Sequence, residues 1–172
     1  MSVPDTVRHG AKEVIFESYP ELGYNYRMTD IQAAVGREQL KRLPEIIQRR
    51  RFLAKKYREL LITQKEMRLP EEPFWARSNW QSYCVRLPPQ CAQRQVMQFM
   101  LDQNIATRRG IMCAHQESAY ANHESWFCGS PSLAESEIAQ NQSIILPLYP
   151  QMQDFEQDRV VETLLNVCKV TD

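Results

Sequence analysis

Apolar residues recur at helical spacing in the first half of the chain and give way to short β-branched and aromatic runs in the second. Ile31, Val35, Leu40, Leu43, Ile46, Leu53, Tyr57 and Leu60 approximate one stripe over about eight helical turns. Thr29 and Gln32 have capping-box spacing in front of it, and Asp30 puts a negative charge in the first turn, where the helix dipole favours one. Pro44 interrupts the stripe. Because proline removes a helical hydrogen bond and crowds the preceding turn, the pattern predicts either a kink near Pro44 or two helices in series.

Beyond the turn-rich stretch from Leu69 to Ser78, Trp80 to Leu87 has strand character and ends at Pro88-Pro89. A helix is expected over about Cys91 to Gln103, burying Val96, Phe99 and Met100, followed by a short strand at Ile105-Ala106-Thr107. Residues Arg108 to Pro131 read as a long loop rich in His, Tyr, Trp and Cys. Ser132 and Glu135 form a second capping-box pair before a short helix at Leu133 to Asn141, and Ser143 to Leu148 reads as a strand. Asp154 is expected to cap a last helix with Val160, Val161, Leu164, Leu165 and Cys168 on one apolar face. The fold class is therefore α+β: a long helix, then a small sheet packed with helices.

Met1 to Leu22 carry no sustained period, and Ser18-Tyr19-Pro20 reads as a turn or extended connector. Such a segment suits an arm held by something else. The expected organisation is an N-terminal arm at 1–28, the long helix at 29–62 and a small α+β domain at 63–172.

With 172 residues, 43% of them hydrophobic, the chain suits one ordinary core. Lysine plus arginine equal aspartate plus glutamate at 21 each, so no global field favours nucleic acid or an anionic membrane. The basic set Arg37, Lys41, Arg42, Arg49, Arg50, Arg51, Lys55, Lys56 and Arg58 raises nucleic-acid binding locally, but Glu38, Glu45 and Glu59 interleave with it and a solvated helix face accounts for the charges. Val14-Ile15-Phe16 is too short for a signal-peptide core, no stretch approaches the roughly 20 apolar residues of a membrane span, and a cytoplasmic location is expected. Five cysteines without a C-x-x-C pair suit reduced thiols.

Two clusters hold candidate chemistry. Asn25 and Arg27 sit two apart, so in an extended segment their amide and guanidinium point the same way and could converge on one anion at the positive end of a helix. Spacing alone also fits a plain turn in which the asparagine bonds its own backbone and the arginine lies on the surface. The second cluster is Arg108, Arg109, Cys113, His115, Tyr120 and His123. His115 suits a hydrogen-bond or acid/base role, or is a simple loop histidine. The spacing of Cys113, His115, His123 and Cys128 is not that of an ordinary zinc site, so no metal is expected.

Gly-Tyr-Asn-Tyr-Arg-Met-Thr-Asp-Ile-Gln-Ala-Ala at 23–34 resembles the segment typical of DegT/DnrJ/StrS-type sugar aminotransferases. Arg8-His9-Gly10 is similar to the family's Arg-x-His-Gly element, and Gln39-Leu40 with Leu43, Arg50 and Tyr57 to its interdomain helix. Arg108-Arg109-Gly110-Ile111-Met112 with His115 and Tyr120, and Leu146-Pro147-Leu148-Tyr149-Pro150, resemble its C-terminal domain. The resemblance implies the fold of a fold-type I, pyridoxal-phosphate-dependent transaminase that moves an amino group, usually from glutamate, onto a nucleotide-linked keto-sugar, in a dimer with shared active sites. On that likeness Asn25 reaches the cofactor phosphate of a neighbouring subunit, Arg27 meets a substrate carboxylate or phosphate, and His115 and Tyr120 line the sugar side. The family's Schiff-base lysine lies upstream of the His-Gly element, where only Met1 to Arg8 stand here, and Lys12 lies on the wrong side of it. The expectation is a C-terminal portion that does not hold the cofactor stably or transaminate alone, working as a homodimer or with a separate N-terminal half. The alternative is a non-catalytic homologue that binds a sugar nucleotide or another subunit.

Overall fold

The computed structural model describes residues 24, 26, 28–117 and 133–170, the last without its side chain. The chain divides into two compact units, Met1–Lys41 and Arg42–Asp172.

Helix α1 spans Asp30–Leu61, 32 residues, or about 48 Å at the usual helical rise. Its start is the expected capping box: the Thr29 amide donates to Gln32 Oε1 at 3.0 Å and the Gln32 amide to Thr29 Oγ1 at 3.3 Å. Pro44 lies inside one continuous helix rather than between two. Residues 41–45 are exposed, so water can reach the backbone that proline leaves without its usual partner.

The apolar stripe divides along its length. In the first unit Ile31, Val35 and Leu40 are all more than half exposed. In the second, Leu53, Ala54, Tyr57 and Leu61 are buried, while Leu60, assigned to the stripe from its spacing, is at the surface. The buried set steps by one, three and four residues, the spacing of one helical face, and Leu60 lies beside it.

The second unit holds a three-stranded antiparallel sheet in the order β1–β3–β2: β1 is Tyr83–Arg86, β2 Arg108–Arg109 and β3 Ser143–Leu146. Tyr83 pairs with Leu146 and Val85 with Ile144, and these four buried residues share one sheet face. Helices α2 (Gln93–Asp102), α3 (Ala134–Gln142) and α4 (Asp154–Val170) complete the unit. Val96 and Met100 of α2, and Val160, Val161, Leu164 and Val167 of α4, join the sheet and α1 in one core. The α+β class is as expected.

Several details differ from the sequence expectation. The second strand is Arg108–Arg109, not Ile105 to Thr107, and α2 ends in a Schellman motif that takes up Asn104 and Ile105. Asn104, at φ 61°, is the left-handed residue; its amide donates to Leu101 O at 2.8 Å and that of Ile105 to Met100 O at 2.9 Å, while Ile105 packs into the core. Phe99 is 39% exposed; Val96 and Met100, four apart, are the residues of α2 that face inward. Helix α3 starts with Leu133 at its cap and no side-chain cap bond, and Ser132 lies outside the described residues. Asp154 is the first residue of α4 rather than its cap; the Gln153 amide donates to Glu156 Oε2 at 2.7 Å, half of a capping box.

The basic residues of α1 are not simply a solvated face. Arg50 donates to the carbonyls of Trp80 and Gln81 at 3.2 and 2.7 Å, and Arg49 and Arg51 to those of Met152 and Ser78. Lys56 bonds Asp154 O at 3.2 Å and pairs with Asp158 at 2.9 Å. Carbonyls in the connecting segments lack ladder partners, and these cations supply them.

Tyr57 joins three parts of the core. Its ring stacks on Tyr83 with centroids 5.1 Å apart, and its hydroxyl donates to Pro147 O at 2.7 Å. Replacing Tyr57 by Phe leaves that carbonyl without its donor and is expected to cost about 1–3 kcal/mol in urea denaturation. Burial raises the Tyr57 phenol above its usual 10.0, helped by neighbouring Tyr149 and Tyr83, and pushes Tyr83 up to about 12 and the Cys168 thiol from 9.0 to about 12. All three are held neutral in the folded state, while unfolded chains release these protons at the ordinary values. Their contribution is therefore complete below about pH 9 and is lost as pH rises towards the folded values. Stability should stay flat from pH 7 to 8.5 and fall above pH 9, with a shallower fall beyond pH 10 in Tyr57→Phe; equal slopes in the two proteins would refute this origin.

Candidate functional site

The segment from β2 through the short 3-10 turn Ala114–Gln116 carries His115 and is fastened to α3 and β3. The fastening begins at Gly110, whose amide donates to Ser143 O at 2.7 Å. A Cβ added there would stand 2.8 Å from Ser143 Cβ and 3.3 Å from its carbonyl oxygen, so the backbones approach closer than any side chain permits. Next, the Cys113 amide donates to Gln140 Oε1, and Gln140 Nε2 donates to Gln116 Oε1. Gln140 is buried, and its own backbone carbonyl accepts from Gln93 Nε2 at 2.7 Å; the same Nε2 also donates to Ser143 O at 2.6 Å. One glutamine thus links the turn and, through its backbone, α2.

His115 Nε2 lies 2.9 Å from Glu137 Oε1, with the imidazole 17% and the carboxylate 41% exposed. The carboxylate fixes the ring plane and leaves the pair reachable from solvent, an arrangement suited to hydrogen bonding a polar ligand or moving a proton. Arg109 and Glu117 pair at 3.2 Å across the same segment, and both are about half exposed. Arg108 and Arg109, being successive strand residues, project from opposite faces of the sheet. The Cys84 thiol is raised by burial, against the lowering effect of its bond to Ser143. Among the described residues no three His, Cys, Asp or Glu side chains gather as a metal site, and no helix is long and apolar enough to cross a membrane.

The other candidate cluster precedes α1. Tyr24 and Tyr26 are both strongly exposed, with rings 5.8 Å apart and tilted by 48°. Asn25 and Arg27 lie outside the described residues, as do Tyr120, His123 and Cys128. Two of the amides at this helix start are consumed by the Thr29–Gln32 box, so an anion here would depend on side chains of the preceding segment more than on a bare helix end.

The family model of DegT/DnrJ/EryC1/StrS aminotransferases matches residues 5–165. The chain belongs to that family. Among solved structures, the aminotransferase TlmJ from Streptoalloteichus hindustanus is 25% identical with a TM-score of 0.75, over 89% of this DegT-family chain and 40% of that one. PseC from Helicobacter pylori, an aminotransferase involved in the biosynthesis of pseudoaminic acid, is 18% identical with a TM-score of 0.77, over 93% of this chain and 43% of that one. Spr1654 from Streptococcus pneumoniae in its PLP form is 22% identical with a TM-score of 0.71, over 84% and 37%. The latter two likenesses concern the fold. This DegT-family chain spans 37–43% of the length of the three structures.

Of the four site residues expected from sequence, His115 alone is described, and its partner Glu137 was not anticipated. Glu137 and Gln140 are three apart on α3 and so lie on the same side of it, which is the sequence signal that could have placed both against the loop. Gly110→Ala should force a backbone shift and cost about 1–3 kcal/mol. Gln140→Ala should cost a similar ~1–3 kcal/mol by leaving the Cys113 amide unmet. Denaturant midpoints of the two variants and the parent test this; an unchanged midpoint in both would mean that the fastening contributes nothing.

Proposed function

We propose that these 172 residues form the C-terminal portion, long helix and small domain, of a pyridoxal-phosphate-dependent aminotransferase acting on a nucleotide-linked keto-sugar, with glutamate as the usual amino donor. The family match over residues 5–165, which includes the Gly23 to Ala34 segment, is the observation that carries this reading. In it the long helix at 29–62 joins the arm at 1–28 to the small domain at 63–172, and the working assembly is a homodimer or a pairing with a separate cofactor-binding half.

Bound pyridoxal phosphate supplies the electron sink for amino transfer. Asn25 donates its side-chain amide to the phosphate of a cofactor held by a neighbouring subunit. Arg27 fixes a carboxylate or phosphate of the substrate, with the planar two-point grip that guanidinium offers. His115, oriented by Glu137, and Tyr120 bind the sugar side. No lysine of this chain is assigned to holding the cofactor, since Lys12 follows the His9-Gly10 element, and these 172 residues alone are not expected to transaminate.

Two measurements test the reading. The 172-residue chain incubated with pyridoxal phosphate and then borohydride should carry no pyridoxyl label at a single lysine by peptide mass spectrometry; stoichiometric labelling at one position with glutamate turnover would overturn the assignment. In the assembly that contains the cofactor-binding half, Asn25→Ala should weaken cofactor affinity about 10-fold or more, the worth of one hydrogen bond to a charged group. Arg27→Gln should leave that affinity alone and raise the KM for glutamate, if it holds a carboxylate, or for the sugar nucleotide, if it holds a phosphate. Unchanged values in both variants would remove these two roles.

A further inference from the structure

Cys91 and Cys168 stand 77 positions apart in the chain and meet in the fold. Cys91 ends the turn that follows β1: its amide donates to Pro88 O at 3.0 Å, and its side chain, 3% exposed, belongs to the core. Cys168 lies in the last turn of α4, half-buried against that core. Cys91 Sγ is 4.0 Å from the carbonyl oxygen of Cys168, and the two thiols are hydrogen-bonded to each other. Cys84, also half-buried, has the Ser143 side chain as its partner instead. Two free thiols in contact are therefore presented by the turn after β1 and the end of the last helix.

The place of this contact in the fold gives it mechanical meaning. A bond between the two sulfurs closes a ring that contains α2, β2, α3, β3 and nearly all of α4, the greater part of the second unit beyond β1. Closing a long ring removes much of the freedom of the unfolded chain, which is where a disulfide exerts most of its effect. It also fixes the last turn of α4, the end at which a terminal helix opens first.

We propose that Cys91 and Cys168 form an oxidation-dependent staple between the turn after β1 and the end of α4, closed by hydrogen peroxide and opened by a dithiol. Cys168, the more exposed of the two, loses its proton and its sulfur attacks one peroxide oxygen; the O–O bond breaks, the leaving hydroxide takes up a proton as water, and Cys168 is left as a sulfenic acid. The Cys91 sulfur, giving up its own proton, then attacks the Cys168 sulfur, the S–O bond breaks and a second water leaves. Two thiols and one peroxide thus become one disulfide and two waters, with two electrons passing from sulfur to oxygen. A dithiol returns the two electrons and two protons and is itself left as a disulfide. Burial, with the hydrogen bond and charge of Cys91, pushes the Cys168 thiol up to about 12, so little thiolate is present near neutrality. Closure is slow there, which suits a staple set by sustained oxidation and not a rapid sensor. It is independent of the residues assigned above to cofactor and sugar.

The test is incubation of the reduced 172-residue chain with hydrogen peroxide at pH 8, alkylation of the remaining thiols and peptide mass spectrometry. The expected product is a monomer lighter by two hydrogens before alkylation, with Cys91 and Cys168 in one linked peptide and Cys84, Cys113 and Cys128 alkylated. Its Tm should rise by roughly 5–15 °C, as a disulfide across a long loop does in a domain of this size, and return to the parent value with dithiothreitol. Cys168→Ser, at the less buried position, should show neither the link nor the rise, and Cys91→Ala serves in its place if that variant does not fold. The proposal is overturned if no Cys91–Cys168 peptide forms, if the two sulfurs oxidise separately to sulfinic acids, or if the linked protein melts at the parent's temperature.

Discussion

Tyr57 has to be buried and satisfied at once, and much of the second unit is arranged to let it be both. A phenol in an apolar core must give its proton to an acceptor or lose the bond it had to water. The acceptor is the carbonyl of Pro147, just beyond the end of β3, so the hydroxyl ties α1 to the place where the central strand ends. The ring meanwhile lies against Tyr83, which pairs with Leu146 across the sheet. Helix, edge strand and central strand are therefore set by the demands of one side chain. Leu53, Ala54 and Leu61 extend that contact along the same helical face, and Gln157 of α4 closes it by donating to Leu53 O at 2.7 Å.

Charge plays a different part from the one its density suggests. A run of arginines and lysines on an exposed helix reads as a surface for polyanions, yet here the cations from Arg49 to Lys56 reach back to carbonyls and carboxylates of the same chain. Guanidinium suits this task because its fork of donors can meet several carbonyls in loops that have no regular ladder. Lys55 and Arg58, nearer the end of the helix, are engaged in the same way, by Glu59 and Glu71.

How much of this could be read from the letters depended on how local each feature is. The Thr29–Gln32 box, the helix after it and the last helix are specified by residues within a few positions of one another, and they stand close to where spacing put them. Leu60 and Leu61 exchange places because a one-residue rotation of the stripe depends on what packs against it, which no periodicity contains. A strand of two residues such as β2 has no period at all, and its existence rests on pairing with β3. The site divides in the same way. His115 was visible as a candidate, but Glu137 and Gln140 become its supports only when α3 is folded against the loop.

The two glutamines and the glycine that hold the His115 segment are neutral. Amide-to-carbonyl bonds and a close backbone approach do not weaken as ions accumulate, whereas the Arg109–Glu117 pair beside them is half exposed and open to screening. The backbone that carries the histidine is therefore mounted on fixings indifferent to the ionic medium, while the Glu137 carboxylate that orients its ring and the Arg109–Glu117 pair are charged and partly exposed. A charged ligand arriving there can compete for Arg109 or Glu117 without disturbing the mount, so the polarity of the rim is adjustable while the backbone under His115 is kept.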